Sequence, residues 1–349
     1  MRKKLKKLRK NYLNRWWHLL KYSPNDSRYY QTKYPNIVAI GGGSGLSSLL
    51  RGLKHYTPNI TAVVAVTDNG QSSGMLRKAF DTLPPGDIRK CICALSHEED
   101  LLVDLLSYRF KKGRGLNGHS LGNLLMVALN DIENGFDKAV MGLSDILKTV
   151  GRVLPVTLSK VNIVGQMQSG KLVEGEVEIS KQGHDDPISH VMLSAEAKLY
   201  PPVKEAIINA DIIIIGPGSL YTSIMPPLIV KGMLQALKKA KVPICYVCNT
   251  STERGETEGY EVEEHINIVQ KAVGKIDICI VNSKRVTIPR MPEGSPGSIH
   301  QLLTNKESLL GVKIISASIV DSKNPLCHNS KLLAKVILDA YNDNVRSER

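Results

Sequence analysis

The stretch Asn36-Ile-Val-Ala-Ile-Gly-Gly-Gly-Ser-Gly45 decides the fold, because an apolar run ends there in four glycines within five residues. The run predicts a buried strand, and the leucine-rich residues from Leu46 to Lys54 predict a helix. Glycines in such a turn let the backbone approach a ligand, and the free amides of a helix N-terminus attract phosphate. We therefore interpret the loop as a phosphate cradle. Its candidate ligand-binding residues are Gly41, Gly42, Gly43, Ser44, Gly45 and Leu46.

This glycine loop differs from the two common nucleotide-binding motifs. The dinucleotide fingerprint, started at Gly41, needs glycine or alanine at the position of Leu46. A P-loop needs lysine followed by serine or threonine, and neither follows Gly45. The loop thus predicts a phosphate-bearing ligand, most simply a nucleotide, and leaves its identity open. A tight turn without a ligand is the alternative.

A second strand-glycine-helix pattern follows the apolar run from Ile212 to Ile215, at Gly216-Pro-Gly-Ser-Leu-Tyr-Thr-Ser223. Open parallel sheets bind ligands beyond the carboxyl ends of their strands, so we expect both glycine loops to face one cleft. Two such loops in one sheet favour ligand binding over simple turns. The candidate residues of this region are Gly216, Gly218, Ser219, Thr222 and, at the end of the next apolar run, Asn249.

A polar loop, Asp68-Asn-Gly-Gln-Ser-Ser-Gly74, follows the predicted strand from Ile60 to Thr67. Asp68 is our candidate for binding a ribose hydroxyl or holding Mg²⁺ on a diphosphate, and it is also the candidate catalytic residue. An Asx-turn that joins strand and helix is the alternative. Beyond Asp68 we predict no metal ligand. The candidate ligand contacts of the loop are Asp68, Asn69, Ser72 and Ser73.

Two further loop-to-helix joins add candidates, Pro84-Pro-Gly-Asp-Ile-Arg89 and Asn117-Gly-His-Ser-Leu-Gly-Asn123. We interpret Asp87 as the N-cap of the first helix and Ser120 as the N-cap of the second. The arginine of the first join is a candidate anion partner, and the histidine of the second is more simply structural than catalytic. The candidate ligand contacts of both joins are Asp87, Arg89, His119 and Asn123.

Strands that alternate with helices along the chain predict the fold class. Apolar runs rich in β-branched residues recur at 243–248, 276–281 and 312–320, with helical patterns between them. Aromatic residues make up only 5%, and abundant Ile, Val and Leu suit strands buried on both faces. We predict an α/β fold with a doubly wound, mostly parallel, Rossmann-like sheet and helices on both faces. We also predict an insertion, helical over 87–149 and strand-rich over 156–199.

The first 33 residues differ in composition from residues 34–349, which we predict to form a single nucleotide-binding domain. Residues 2–21 hold nine Lys and Arg and no acidic residue, so the remainder carries only +4 of the net charge of +13. This small remaining charge predicts no nucleic-acid partner. Residues 1–33 form a basic amphipathic arm and linker, for which three roles stay open: contact with an anionic membrane surface, solubilisation, or docking on the chain's own domain.

Hydropathy and cysteine usage predict a cytoplasmic protein. No run of about 18 apolar residues exists, and the N-terminus lacks the apolar core and cleavage site of a signal peptide. Cys245 and Cys248 form a Cys-x-x-Cys pair, which suits either a redox or zinc site or two small buried hydrophobic residues. We favour the second interpretation, because no second Cys-x-x-Cys pair accompanies the first.

In their order along the chain, these motifs together resemble gluconeogenesis factors of the YvcK type, which are similar to 2-phospho-L-lactate transferases of the CofD type. The resemblance runs from about Tyr34 to Tyr341. It implies a doubly wound α/β core, cytoplasmic residence, binding of a UDP-sugar, and a role in cell shape and envelope synthesis during gluconeogenic growth. The motifs that carry it are Ile40–Leu46, Asp68–Arg77, Pro84–Arg89, His119–Asn123, Gly216–Ser223, Tyr246–Asn249 and Gly255–Tyr260.

The chain departs from the family pattern at two places near the expected ligand. The family has Asp-Asp-Gly-Gly where this chain has Asp68-Asn-Gly-Gln71, so an amide replaces one of the paired carboxylates that would bind Mg²⁺. The family commonly has Arg-His-Asp where this chain has Cys327-His-Asn329, and the loss of the arginine removes an anion partner.

Three functions remain open at the level of the sequence. The first, which we favour, is a regulator that binds a nucleotide-sugar and acts through envelope-synthesis proteins without catalysing a reaction, because no nucleophile–base pair is evident. The second is a Mg²⁺-dependent transferase of the 2-phospho-L-lactate type that uses a nucleotide-activated donor. The third is a scaffold that touches the membrane surface through residues 1–21. Each is compatible with a homo-oligomer.

Overall fold

Two β-sheets organise the computed structural model of the chain, which describes residues 34–97, 101–287 and 299–347. The predicted N-terminal arm therefore lies outside the described residues. The strands are β1 Ile37–Gly41, β2 Ile60–Val64, β3 Arg152–Pro155, β4 Ile163–Met167, β5 Leu172–Glu174, β6 Ile188–Leu193, β7 Ile212–Ile215, β8 Ile244–Val247, β9 Ile278–Asn282, β10 Ser308–Leu309 and β11 Val312–Ala317.

The larger sheet has eight strands in the order β10-β11-β9-β8-β7-β1-β2-β3. All neighbouring strands pair in parallel except β10 and β11, which pair antiparallel. Strands β1, β2, β7, β8 and β9 are buried along their whole length, as expected for strands covered on both faces. The predicted mostly parallel α/β fold is confirmed.

Helices connect the parallel strands and flank this sheet. A π-helical turn, Leu220–Ile224, lies between β7 and the short helix that follows it. Among the described residues, no helix is both long and apolar enough to cross a membrane. The α-helices are α1 Gly43–Leu53, α2 Gln71–Phe80, α3 Gly86–Leu95, α4 Leu101–Ser107, α5 Leu121–Glu133, α6 Phe136–Ile146, α7 Glu176–Gln182, α8 Pro201–Ile208, α9 Met225–Leu228, α10 Met233–Ala240, α11 Val262–Val273 and α12 Ser330–Ser347.

The insertion between β3 and β7 holds a separate three-stranded antiparallel sheet in the order β5-β4-β6. A turn at Ser169-Gly170 joins β4 and β5, with Gly170 at a φ of +88°. The prediction of strands over 156–199 is wrong at α7. The segment Leu172-Val-Glu-Gly-Glu-Val-Glu-Ile179 alternates like a strand, yet Gly175 at a φ of +101° ends β5, and the chain turns into a helix.

Helix α1 packs closely on α12, and this contact predicts a stability effect. A methyl group added at Gly52 would lie 1.9 Å from the carbonyl oxygen of Ser330, whereas one added at Gly142 in α6 would meet only Leu129, at 3.8 Å. We expect Gly52→Ala to lower the free energy of unfolding by about 2 kcal/mol through overpacking. Gly142→Ala, the same change in an open helix position, should raise it by about 0.5–1 kcal/mol. Urea unfolding of both variants tests this prediction. The same change in the free energy of unfolding for both would contradict close packing of α1 on α12.

Candidate functional site

The candidate site lies at the point where the order of the large sheet reverses. From β1 the chain proceeds to β2 on one side, and from the neighbouring strand β7 it proceeds to β8 on the other. In open α/β sheets, a crevice forms outside the carboxyl ends of the two strands at such a point. Both glycine loops of the sequence follow these two strands, so the topology brings them together.

A cleft of about 340 Å³ occupies this crevice. A larger groove of about 750 Å³ lies at the other end of the strands, around Pro243 and Gly274, away from both glycine loops. We place the site in the smaller cleft, because that is where the motifs of the sequence converge. The cleft is lined by Gly42, Gly43, Ser44, Gly45, Ser48, Asp68, Asp87, Lys90, Glu176, Pro217, Gly218, Ser219, Ser223, Asn249, Thr250, Ser251, Glu253, Leu326, Cys327 and His328.

The two glycine loops touch backbone to backbone. A methyl group added at Gly45 would lie 2.4 Å from the carbonyl oxygen of Pro217 and 2.9 Å from the amide nitrogen of Gly218. Any side chain at Gly45 would therefore push the loops apart. The glycine that the sequence suggests for ligand approach is also required for contact between the two loops.

Asp87 accepts a hydrogen bond from the first free amide of helix α1. Its Oδ2 accepts a hydrogen bond from the Gly43 amide at 2.7 Å, and its Oδ1 accepts one from Lys90 Nζ at 3.0 Å. The prediction that Asp87 caps its own helix is wrong, because α3 has Pro85 as its N-cap residue. By helix geometry, the next amides, of Ser44 and Gly45, also lack acceptors within α1. These two amides and the cationic Lys90 are the groups of the cleft that attract an anion.

The second glycine loop is held by side chains from the loop after β8. Asn249 Oδ1 accepts a hydrogen bond from the Gly218 amide at 3.2 Å. Glu256 accepts from the Tyr221 amide at 3.1 Å and from the Thr222 hydroxyl at 2.7 Å. Thr222 thus serves the start of the π-helical turn and does not line the cleft, whereas Asn249 does.

One side of the cleft, which we call the acidic wall, is formed by Asp68, Asp87 and Glu176. Asp68 Oδ1 accepts a hydrogen bond from the Gly70 amide at 2.8 Å, so the predicted Asx-turn is present. Burial, and to a lesser extent the charges of Asp68, Asp87 and Glu256, raise the pKa of Glu176 to about 8 against the opposing effect of Lys90. Burial also raises the pKa of Asp87. At neutral pH the acidic wall therefore carries less negative charge than three ionised carboxylates would, because raised pKa values favour the protonated form.

The opposite side, which we call the neutral wall, is formed by Asn249, Thr250, Ser251 and His328. Thr250 is 2% exposed, and its hydroxyl has no hydrogen-bond partner among the described residues. His328 Nε2 donates to the carbonyl oxygen of Cys248 at 3.2 Å, and burial lowers the pKa of His328 to about 4. His328 is therefore neutral, and its Nδ1 can accept a hydrogen bond. Nearby, burial raises the pKa of Glu253 to about 8.

Several predicted ligand contacts instead form a buried network behind the acidic wall. Asn123 Nδ2 donates to Ser72 Oγ at 3.0 Å, and Arg89 Nε donates to Asn123 Oδ1 at 3.0 Å. His119 Nδ1 lies 3.1 Å from Ser72 Oγ, and Ser120 is confirmed as the N-cap of α5. The predicted residues that do not line the cleft are Gly41, Leu46, Asn69, Ser72, Ser73, Arg89, His119, Asn123, Gly216 and Thr222.

Sequence reasoning missed about half of the cleft. Lys90 lies one helical turn after Asp87, and Thr250 follows Asn249 directly, so proximity to known candidates was a usable signal for both. Glu176 reaches the cleft from a distant part of the chain, and no local pattern marks it. The segment 326–328 overlaps the departure from the family pattern at Cys327, which was the available signal. The missed lining residues are Ser48, Lys90, Glu176, Pro217, Ser223, Thr250, Ser251, Glu253, Leu326, Cys327 and His328.

The cysteines do not form a redox or metal site among the described residues. Cys245 and Cys248 are buried and free, and burial raises the pKa of each thiol to about 12. This confirms their interpretation as small buried residues. Within the described ranges, no group of three or more His, Cys, Asp or Glu side chains is arranged to hold a metal ion. Cys327 is the exposed cysteine of the chain, and it lines the cleft.

The raised pKa of Glu176 predicts how stability depends on pH. Because the folded chain binds this proton more tightly than the unfolded chain, Glu176 destabilises the fold progressively as pH rises from about 4.5 to about 8. We expect Glu176→Gln to raise the free energy of unfolding by about 1–2 kcal/mol at pH 8.5 and to have little effect at pH 4.5. Urea unfolding across this range tests it, with exposed Glu205→Gln as the control. A gain independent of pH would contradict the assignment.

Comparisons with known proteins agree with this architecture. Residues 37–320 match the family described as 2-phospho-L-lactate transferase CofD. A putative gluconeogenesis factor from Nostoc sp. is 43% identical over 314 residues, which cover 88% of this chain and 69% of that protein. The gluconeogenesis factor of Bacillus subtilis is 40% identical over 311 residues, which cover 87% of this chain and 98% of that protein. A crystal structure of a UPF0052-family protein from Bacillus halodurans is similar at a TM-score of 0.82 and 39% identity, covering 88% of this chain and 99% of that one.

Proposed function

Because the chain belongs to the CofD family and has gluconeogenesis factors as its relatives, we propose that it binds a nucleotide-sugar, such as a UDP-sugar, in the cleft at the carboxyl ends of β1 and β7. We further propose that it acts in the cytoplasm as a regulator of cell shape and envelope synthesis during gluconeogenic growth, through a partner protein. The regulatory role is carried by the family resemblance, and the binding role by the cleft.

The observation that carries the binding proposal is the meeting of two glycine loops at the switch point of the sheet. Helix α1 directs the amides of Ser44 and Gly45 at the cleft, and Lys90 is held beside them by Asp87. Backbone amides at a helix N-terminus together with a lysine are the usual partners of a diphosphate. The diphosphate of the nucleotide therefore fits this central part of the cleft.

The neutral wall supports a nucleoside or another uncharged group beside the phosphates. The Thr250 hydroxyl has no partner among the residues that the structure describes, and a buried polar group without a hydrogen bond costs about 1–3 kcal/mol. The acceptor Nδ1 of neutral His328 and the side chain of Asn249 lie in the same wall. A ligand with several hydrogen-bonding groups and no charge at this end satisfies these side chains.

A regulator is favoured over an enzyme by the position of the hydroxyl–imidazole pair. Ser72 and His119 are in hydrogen-bonding contact at 3.1 Å, yet neither lines the cleft, and Ser72 also accepts from Asn123. A nucleophile has to reach the bound ligand, and this pair does not.

The second candidate function is the Mg²⁺-dependent transferase. Asp68 lines the cleft, and its Oδ2 has no hydrogen bond among the described residues, so it fits a Mg²⁺ ion that takes its other ligands from phosphate and water. Such an ion would stabilise negative charge on a leaving phosphate. Asn69, which replaces the second aspartate of the family pattern, bonds to helix α7 instead of facing the cleft.

Thermal unfolding in the presence of nucleotides tests the proposal. We expect a UDP-sugar at a hundredfold excess over its Kd to stabilise the protein by about 2.7 kcal/mol without Mg²⁺. It should also slow the reaction of Cys327 with a thiol reagent, because Cys327 lines the cleft.

Lys90→Gln should weaken binding about tenfold through the loss of a charge-assisted hydrogen bond, and exposed Lys204→Gln should leave binding unchanged.

Other outcomes of this experiment separate the candidate functions. Stabilisation by GDP or GTP that requires Mg²⁺ and is lost in Asp68→Ala would favour the transferase. Steady turnover of the bound nucleotide-sugar would exclude a purely regulatory role. Stabilisation without protection of Cys327, with Cys327→Ser as the labelling control, would place the ligand outside this cleft.

A further inference from the structure

Helix α7 is attached to the polar loop Asp68–Gly74, which follows β2, by the side chain of Asn69. Asn69 Nδ2 donates to Glu178 Oε2 at 2.7 Å, and Asn69 Oδ1 accepts from the Val177 amide at 3.2 Å. One amide thus satisfies a backbone donor in the first turn of α7 and the carboxylate next to it. An aspartate at this position would keep the acceptor but would face Glu178 with a second negative charge.

The other side of α7 is attached to the loop after β8. Ser180 Oγ donates to Glu256 Oε1 at 3.1 Å, and Glu256 in turn holds the second glycine loop. The backbones also meet closely, since a methyl group added at Gly183 would lie 1.9 Å from the carbonyl oxygen of Gly255. Helix α7 therefore bridges the two halves of the large sheet across the switch point, although it belongs to the insertion.

Glu176 is the residue of α7 that lines the cleft. Its carboxyl is half-buried and has no hydrogen-bond partner among the described residues. The charged groups around it are Asp68, Asp87, Glu256 and Lys90. A carboxyl in this position offers phosphate no positive charge, unlike the α1 amides and Lys90, but its oxygens accept hydrogen bonds from hydroxyl groups.

We propose that α7 is a fixed part of the ligand site, in which Asn69 is a positioning residue and Glu176 accepts hydrogen bonds from adjacent hydroxyls of a sugar ring on the bound nucleotide. This inference rests on the proposed function, since it assigns the acidic wall to the sugar portion of that ligand. The ring is either the ribose or the appended sugar, which share the same hydroxyl chemistry. Asn69 then suits this chain better than the family's aspartate, because its amide donates a hydrogen bond to Glu178.

Calorimetric titration of the full-length protein with UDP, 2′-deoxy-UDP and UDP-glucose tests the role of Glu176. We expect Glu176→Ala to weaken UDP-glucose binding about tenfold, while Val177→Ala, an exposed change in the same helix, leaves it unchanged. If the contact is to ribose, Glu176→Ala also weakens UDP binding and has a smaller effect on 2′-deoxy-UDP, which keeps only the 3′ hydroxyl. If the contact is to the appended sugar, binding of UDP and of 2′-deoxy-UDP is unchanged.

A rescue experiment tests the positioning role of Asn69. Asn69→Asp should weaken UDP-glucose binding about as much as Glu176→Ala, because two carboxylates then repel each other at the start of α7. Adding Glu178→Gln should restore binding, since the glutamine amide donates to the introduced carboxylate and the Val177 amide keeps its acceptor. Glu178→Gln alone should bind normally. Melting temperatures of all variants without ligand show that each is folded.

The outcomes distinguish failure of this inference from failure of the proposed function. Wild-type protein that binds UDP-glucose while Glu176→Ala binds equally well overturns the contact and leaves the proposed function intact. Loss of binding in Asn69→Asp that Glu178→Gln does not restore overturns the positioning role. Wild-type protein that binds none of the three nucleotides overturns the proposed function and this inference with it.

Discussion

The contact between the two glycine loops is the constraint on which the rest of the site depends. Gly45 meets the backbone of Pro217 and Gly218 so closely that no side chain fits between them. This approach is possible because β1 and β7 are parallel neighbours whose carboxyl ends lie at the same edge of the sheet. Every other group of the cleft is arranged around this contact, with the loops before α2 and α3 on one side and the loop after β8 on the other.

Buried carboxyl groups do most of the positioning in this arrangement. Asp87 joins α3 to the start of α1, and Glu256 joins the loop after β8 both to the second glycine loop and to α7. Buried carboxylates are costly unless they accept several hydrogen bonds, and both of these do. The raised pKa values of Asp87, Glu176 and Glu253 result first from the burial of these carboxyl groups and then from the charges of neighbouring carboxylates.

The insertion shows where pattern reading reaches its limit. Its alternating residues around Val173 and Val177 fit a strand, and an isolated strand prediction there is reasonable. The chain forms α7 instead, because Gly175 breaks the strand and the Val177 amide donates a hydrogen bond to Asn69. Asn69 lies more than a hundred residues earlier in the chain. A short helix of this kind is stabilised by tertiary contacts more than by its own sequence. The same contact explains why an amide is accommodated at position 69.

The sequence by itself determined the parallel sheet, the two glycine loops and the buried cysteines, because apolar runs, glycine-rich turns and strand-helix alternation are local properties of the chain. It also identified Gly43, Ser44, Asp68, Asp87, Gly218 and Asn249, all of which line the cleft. Only the tertiary structure decided that Glu176 joins them, while Arg89 and His119 lie behind the acidic wall. The physical reason is that side-chain direction and partners at a cleft depend on contacts between segments far apart in the chain, which no local periodicity records.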